Sequence, residues 1–204
     1  TSFAVEPDWS AASYWYELVA LSPDPETHVL LHGLHAESVQ GDAACVDLFA
    51  PLGVNTEFTR EGACLTKQNA PISALYQRDF SATPDLAQTL VVTCALLRRA
   101  FRFTGLASLH IKETDRIAAL TQELQQFGVH LTSPALGTLQ YVPDTPSQPL
   151  LDGGGVPQIH TYDDHRMALA FAPAALVTGA VEIHHPEVIS KSYPHYWDDL
   201  RRLG

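Results

Sequence analysis

The feature that most constrains the fold is a unit that recurs three times along the chain. Aspartates that precede predicted helices recur at nearly equal spacing, at Asp8, Asp85 and Asp164. Glycines placed to end a second set of helices recur with the same period, at Gly53, Gly128 and Gly204. Because two independent markers share one period, we expect three copies of one unit within a single domain. Their approximate bounds are 1–77, 78–157 and 158–204, and the third copy is incomplete.

Each copy is predicted to contain strand, helix, strand, helix and one or more closing strands. The strand candidates between the two helices are 28–31, 108–111 and 181–184. Further candidates follow the second helices at 54–58 and 139–142, and the chain opens on a strand-like run, 1–5. The segment from Thr132 to His160 is polar and rich in Pro and Gly. We expect it to be a flexible excursion without a catalytic residue.

The first helix of each copy is apolar on nearly every face, as in 90–97 and 168–176. A helix without a polar stripe is normally buried, whereas the second helices, such as 117–124, are amphipathic. The sequence therefore predicts an inside-out α/β fold, in which three parallel helices are buried and the sheets lie outside. Pro173 is expected to kink the third buried helix.

Composition limits the class of partner and the compartment. The formal net charge of −11 argues against nucleic acid and anionic membrane, because both bind basic surfaces. No apolar run has the length of a membrane span, and no signal-peptide pattern is present. Cys45, Cys64 and Cys94 form an odd set without C-x-x-C spacing, so we expect free thiols in a reducing, cytoplasmic setting.

Two charged motifs, 112–116 (KETDR) and 161–168 (TYDDHRMA), indicate an anion site. Each places an arginine at or near a predicted helix start, where the helix dipole disfavours a cation. If the three buried helices run in one direction, their amino-terminal ends converge and offer N–H groups to an anion. Arg116 and Arg166, each with a titratable neighbour, would then hold a small anion and move protons; the neighbours are Glu113 and His165.

Simpler interpretations of the same residues remain open. The three repeated aspartates could act only as helix caps. The KETDR motif could be a solvated helix start, with Lys112 and Arg116 four residues apart on one helix face. His165 could only bond the backbone, and Lys191 could simply be exposed.

Four segments resemble the enolpyruvylshikimate-phosphate synthase family: KETDRIAAL…ELQQFGV, TYDDHRMALAF, PDLAQT and ISKSYPHYWDDL. The resemblance covers nearly the whole chain and is weakest in the 132–160 excursion. It implies a two-lobed enzyme whose lobes each contain threefold βαβαββ repeats with buried helices. It also implies transfer of the enolpyruvyl group of phosphoenolpyruvate to the 5-hydroxyl of shikimate 3-phosphate, without a metal or an organic cofactor.

The resemblance also implies a role for each residue of the motifs. The residues that would grip phosphoenolpyruvate are Arg116, Arg166 and Lys191. Asp85 would contact the shikimate hydroxyls and form an acid/base pair with Glu113, the proton-transfer residue. Lys112 would lie on the shikimate side, and His165 would lie beside the proton-transfer position. Ser108 and His110 stand where an asparagine and an arginine are common in the family.

By this resemblance the chain is a C-terminal lobe, and its partner would be the missing N-terminal lobe. The isolated chain is then expected to be an inactive half-site. Two alternatives compete with this interpretation. One is a non-catalytic module that only binds phosphoenolpyruvate, and the other is an enolpyruvyl transferase acting on a UDP-sugar. The KETDR and DHRMA motifs speak against the UDP-sugar enzyme.

Overall fold

The computed structural model describes residues 5–69, 75–143 and 155–203. The first copy contains α1 Trp9–Leu21, β1 His28–His32, α2 Cys45–Phe49, β2 Val54–Phe58 and β3 Gly62–Lys67. Short 3-10 helices precede and follow α2, at Gly41–Ala44 and Ala50–Leu52. The three strands form an antiparallel sheet in which β3 lies between β1 and β2.

The second copy has both parallel and antiparallel pairing. It contains β4 Tyr76–Asp79, α3 Ala87–Leu96, β5 Phe101–Thr104, α4 Arg116–Leu124 and β6 Leu139–Tyr141. Its 3-10 helices are Pro84–Leu86, Ala107–Ile111 and Gln125–Phe127. Strand β5 pairs in parallel with β4 and antiparallel with β6.

The third copy has the smallest sheet among the described residues, formed by two short parallel strands. It contains β7 Gln158–Ile159, α5 His165–Phe171, α6 Ala175–Thr178, β8 Glu182–Ile183 and α7 Tyr196–Arg201. The remaining 3-10 helices are Ala172–Ala174 and Pro186–Lys191. The first of these contains Pro173, where a kink was expected, and it separates α5 from α6.

The inside-out α/β arrangement is confirmed. Helices α1, α3 and α5 pack against one another, and every residue of α3 is buried. The amphipathic α4 buries one side, which includes Leu120 and Leu124, and exposes Ala118. Burial of a large apolar side chain contributes about 2 kcal/mol, so the three apolar helices form the main stabilising core.

Both second-helix glycines that lie in described regions have the predicted conformation. Gly53 and Gly128 follow short 3-10 turns with φ of 90° and 65°, where a side chain would be strained. Gly204 lies outside the described residues, as do 1–4 of the predicted opening strand and 144–154 of the excursion. The described parts of that excursion contain β6 and β7, so it is not an unstructured connection throughout.

The predicted strand at 108–111 is wrong, because this segment belongs to the 3-10 helix Ala107–Ile111. The strand lies a few residues earlier, in β5, where Phe101 and Phe103 are buried and Arg102 is exposed. That alternation fits a half-buried strand, whereas only Leu109 is buried in the 3-10 helix.

Two general predictions can be compared with the described regions. Cys45, Cys64 and Cys94 are free thiols, as expected. Among the described residues, no helix combines the length and the apolarity needed to cross a membrane.

Candidate active site

The amino-terminal ends of the three buried helices meet around one guanidinium group. Arg166, in the first turn of α5, places Nη2 3.0 Å from Oδ2 of Asp85, which precedes α3. Its Nη1 donates to the backbone oxygen of Asp85 at 3.3 Å and to the hydroxyl of Tyr14 on α1 at 3.5 Å. Arg166 therefore joins the start of α5 to the 3-10 turn before α3 and to the amino-terminal half of α1, two elements that are distant from it in sequence.

A second guanidinium, that of Arg116, lies beneath this contact with only 1% of its side chain exposed. Its Nε donates to Asp164 Oδ2 at 2.6 Å, and its Nη2 donates to Glu113 Oε2 at 2.7 Å. Its Nη1 lies 3.3 Å from Asp85 Oδ1. Burial of a charge is tolerated only when it is paired, and Arg116 has three carboxylate partners.

Asp164 caps α5 and pairs with Arg116 through the same carboxylate. Its Oδ1 accepts the backbone N–H of Arg166 at 2.8 Å, and its side chain is fully buried. A tight turn precedes it, closed by Asp164 N donating to Thr161 O at 2.9 Å. Both central residues of this turn, Tyr162 and Asp163, have positive φ, which costs an L residue about 1–2 kcal/mol each.

Asp85 is not a helix cap, which corrects one of the cap assignments. It lies inside the 3-10 helix Pro84–Leu86, where Thr83 occupies the capping position. Its carboxylate instead faces cations, because Lys112 Nζ also lies 3.4 Å from Oδ1. Burial alone would raise the pKa of Asp85, but Arg166, Lys112 and Arg116 outweigh it and hold the pKa below its ordinary value. Asp8, by contrast, does cap α1 by accepting the N–H of Ser10 at 2.8 Å.

Lys112 and Arg116 do not share a helix face, although both contact Asp85. Helix α4 begins at Arg116 and is capped by Asp115, which accepts the N–H of Ala118 at 3.1 Å. Because aspartate is a strong cap, the helix starts at the end of the KETDR motif, and Lys112 is in extended conformation. Helical spacing was therefore the wrong reason for placing these two cations together.

Glu113 and Lys191 lie at the solvent side of the site. The pKa of Glu113 is lowered by a hydrogen bond from its own backbone, against burial, and then by the charges of Arg116, His165 and Lys191. Lys191 ends the 3-10 helix Pro186–Lys191, and its side chain is exposed. The structure therefore brings Lys191 into the electrostatic neighbourhood of the other predicted residues.

His165 is buried next to the Asp164–Arg116 pair. Its Nδ1 lies 4.0 Å from Asp164 Oδ1 and has no hydrogen-bond partner within the described ranges. Burial, followed by the charge of Arg166, lowers the pKa of His165. The ring is therefore neutral near pH 7 and retains both a proton donor and a proton acceptor.

The carboxylates of the cluster differ in exposure. Lys112, Arg116 and Arg166 face three carboxylates. Asp164 is fully buried, whereas the side chains of Asp85 and Glu113 are 34% and 36% exposed. The carboxylates of Asp85 and Glu113 are therefore accessible to solvent, whereas that of Asp164 is enclosed with Arg116.

Several residues of the site were not predicted from the sequence. A cavity of about 170 Å³ beside Arg166 is lined by Tyr14, Ser10, His165 and Ser192, among others. Ser10 Oγ donates to Asp42, whose pKa burial raises. The signal for Tyr14 is weak because it lies in a helix that is apolar on nearly all sides. The pairing of Asp164 with Arg116 joins residues 48 positions apart, which local sequence patterns do not encode.

Comparison with known protein families identifies the family of this chain. Residues 1–200 match the family model described as EPSP synthase (3-phosphoshikimate 1-carboxyvinyltransferase). The chain belongs to the EPSP synthase family. Two similar relatives are proteins named 3-phosphoshikimate 1-carboxyvinyltransferase. The one from Bacteroides fragilis (strain ATCC 25285) is 50% identical over 99% of this chain, and the one from Methanospirillum hungatei JF-1 is 32% identical over 99%.

Solved structures of EPSP synthase and of a related transferase share the fold. The EPSP synthase of Acinetobacter baumannii superposes with a TM-score of 0.75 over 98% of this chain, at 21% identity. The enolpyruvyl transferase NikO from Streptomyces tendae superposes with a TM-score of 0.67 over 99% of the chain, at 14% identity. The chain spans about half the length of its curated EPSP synthase relatives, 47% for Bacteroides fragilis and 44% for Methanospirillum hungatei.

Proposed function

We propose that this chain is the C-terminal lobe of an enzyme that transfers the enolpyruvyl group of phosphoenolpyruvate to the 5-hydroxyl of shikimate 3-phosphate, releasing phosphate. Its relatives carry the name of that transferase, and the chain matches them over nearly its full length. The lobe would comprise three repeats with bounds near 1–77, 78–157 and 158–204, and it would work in the cytoplasm. Its partner would be the other half of the enzyme.

The observation that carries this proposal is the cluster formed by the two motifs. Arg116 and Arg166 come from different copies of the unit, yet both contact the one carboxylate of Asp85. Two guanidinium groups at one point match a ligand with two anionic groups, because each guanidinium binds a carboxylate or phosphate through paired N–H donors. Phosphoenolpyruvate carries one carboxylate and one phosphate.

In this proposal Arg116, Arg166 and Lys191 hold the two anionic groups of phosphoenolpyruvate. The ligand displaces Asp85 and Glu113 from the arginines, and the pKa of each freed carboxylate rises because it loses a cationic partner. Asp85 then accepts the proton of the attacking 5-hydroxyl, and Glu113 delivers a proton to the methylene carbon. Carbon–oxygen bond formation gives a tetrahedral ketal. Glu113, ionised by the first transfer, takes a proton from the methyl group of the ketal while phosphate leaves with the proton held by Asp85, and the double bond is restored.

The remaining two residues have supporting roles in the same scheme. Lys112 lies on the shikimate side, where its Nζ is 3.4 Å from Asp85 Oδ1 and favours the ionised form of that carboxylate. His165 is neutral near pH 7 and lies beside the path of the proton. The scheme uses no metal and no organic cofactor.

Calorimetry of phosphoenolpyruvate binding tests the half-site directly. Arg166→Ala is expected to weaken binding about tenfold or more, because it removes charge-assisted hydrogen bonds. The matched control is Arg201→Ala, which breaks a surface ion pair with Asp198 of 2.8 Å on α7 and should change the affinity less than about twofold. Equal heats of phosphoenolpyruvate binding for the wild type and Arg166→Ala would refute the proposal that Arg166 holds this ligand.

Turnover distinguishes a lobe from a complete enzyme or a binding module. The chain alone should release no phosphate from phosphoenolpyruvate and shikimate 3-phosphate. Mixing it with the separately produced other half of the Bacteroides fragilis relative should restore turnover. Activity of the chain alone would contradict the half-site, and activity of the mixture with a UDP-sugar only would reassign the substrate.

A further inference from the structure

The turn that leads into α5 is held in an unfavourable backbone conformation. Tyr162 and Asp163 both have φ near +55°, with values of 53° and 56°, a region that L residues rarely adopt twice in succession. Hairpin-type turns with this geometry normally use asparagine or glycine. Asp164, which pairs with Arg116, follows immediately after Asp163. Arg166 comes two residues after Asp164. The directions of these side chains therefore depend on a turn that would relax if nothing opposed it.

The contact that opposes relaxation comes from the far end of α4. Glu123 is 1% exposed, and its carboxylate accepts the hydroxyl of Tyr162 at 2.6 Å. The same carboxylate accepts the backbone N–H of His160 at 3.3 Å and Nε2 of Gln126 at 2.9 Å. A buried carboxylate is costly unless it is hydrogen-bonded, and here two of its three donors flank Thr161.

A second side chain of α4's carboxyl-terminal region secures the strand before the turn. Gln126 accepts the backbone N–H of Gln158 at 2.9 Å and donates to its backbone oxygen at 2.8 Å. Burial and the carboxylate of Glu123 both raise the pKa of Tyr162, so its hydroxyl stays protonated and remains a donor. The hydrogen bond is therefore maintained across the physiological pH range.

Helix α4 thus contacts the turn from two points. At its first residue Arg116 pairs with Asp164, and two helical turns later Glu123 holds Tyr162. Between these two points the strained turn has little freedom, because both its entry and its exit are bonded to one rigid helix.

We propose that Glu123 is a positioning residue that, through the Tyr162 hydroxyl, holds the Thr161–Asp164 turn and thereby the directions of His165 and Arg166. It touches no reacting group in the proposed reaction. The inference about catalysis rests on the proposed function, but the inference about the turn does not.

Substitution of Tyr162 by phenylalanine removes only the hydroxyl and tests this role. The matched control is Tyr76→Phe, since the Tyr76 hydroxyl also donates one short hydrogen bond, to Leu48 O at 2.7 Å, but lies in another sheet. The first readout is the titration of the His165 ring by NMR. Tyr162→Phe should move its midpoint up towards the ordinary value of 6.5, because a relaxed turn exposes the ring. Tyr76→Phe should leave the midpoint unchanged.

The second readout is the affinity for phosphoenolpyruvate. Tyr162→Phe should weaken it about tenfold, and Tyr76→Phe should change it less than about twofold. Glu123→Gln keeps the shape and one acceptor oxygen, so it should give a smaller shift of His165 in the same direction. It also carries the test if Tyr162→Phe does not fold.

The outcomes distinguish the positioning role of Glu123 from the proposed transferase function. Equal effects of Tyr162→Phe and Tyr76→Phe on His165, or no effect of either, would overturn the positioning role and leave only a structural hydrogen bond. A shift of His165 confined to Tyr162→Phe and Glu123→Gln, in a chain that shows no turnover when it is mixed with the other half of the relative, would support the positioning role and reject the proposed function.

Discussion

Asp164 and Asp8 occupy equivalent places in two copies of the unit, which allows one substitution to be compared at both. Each carboxylate caps a buried helix by accepting the N–H two residues later at 2.8 Å. Asparagine is an equally good cap, so the capping contribution survives in Asp164→Asn and in Asp8→Asn. The two sites differ in their surroundings, because Asp8 is exposed and Asp164 is fully buried against Arg116.

The expected difference follows from the buried charge that is left behind. Removing one partner of a buried ion pair typically costs about 3–5 kcal/mol. Arg116 keeps contacts to Glu113 and Asp85, so the lower end of this range, about 3 kcal/mol, is expected for Asp164→Asn. Asp8→Asn loses no buried pair and should change the free energy of unfolding by less than about 0.5 kcal/mol.

Urea unfolding at pH 7, followed by circular dichroism, measures both values on the chain itself. A loss of about 3 kcal/mol corresponds to a fall in Tm of roughly 6–12 °C for a chain of this size. If the two asparagine variants had unfolding free energies within about 0.5 kcal/mol of each other, Arg116 would not depend on Asp164 and the account of the site's interior would be wrong.

Two further predictions concern the core and a tight turn. Burial raises the pKa of Glu17 in the folded chain above its ordinary value of 4.5. The stability that this shift contributes is fully present below pH 4.5 and is lost as the pH rises through the folded-state pKa. Between these two pKa values, the free energy of unfolding of the wild type should fall by about 1.4 kcal/mol per pH unit relative to that of Glu17→Gln. If urea unfolding gave the same difference between the two proteins at every pH, this prediction would be wrong. Gly62→Ala should destabilise by more than about 2 kcal/mol, because its Cβ would lie 2.0 Å from Leu31 O at φ +148°. Gly179→Ala, at φ +81° with open space around the Cβ, should cost only about 1 kcal/mol, and equal thermal shifts for both would refute the steric argument.

Local patterns predicted much of the fold because they act over a few residues. The apolar run of α3 indicated its complete burial, and Gly53 and Gly128 have the left-handed conformation that their places at helix ends require. The error at 108–111 has a local cause as well. The polar–apolar alternation of residues 108–111 resembles that of the strand Phe101–Thr104, so local pattern does not separate the two segments. Burial separates them, because Phe101 and Phe103 are both buried whereas Ile111 is exposed.

The sequence predicted part of the candidate site. Several residues were chosen correctly as neighbours in space, but the structural arguments for choosing them were less accurate. Asp85 was predicted as a possible cap and, from the resemblance, as a contact to the shikimate hydroxyls, and its carboxylate contacts three cations from the two motifs. Tyr14 and Asp42 were missed because neither lies in a charged motif. The roles of the motif residues in catalysis remain proposals that the binding and turnover experiments test.

The amino-acid sequence by itself determined the threefold unit, the burial of one helix in each copy and the two motifs of the site, since periodicity, capping and backbone preference depend on near neighbours. Only the tertiary structure decided which carboxylate pairs with which guanidinium, that Tyr162 is held by Glu123, and which pKa values rise or fall. Those properties depend on distances between segments far apart in the chain and on the removal of water around them, which no local pattern contains.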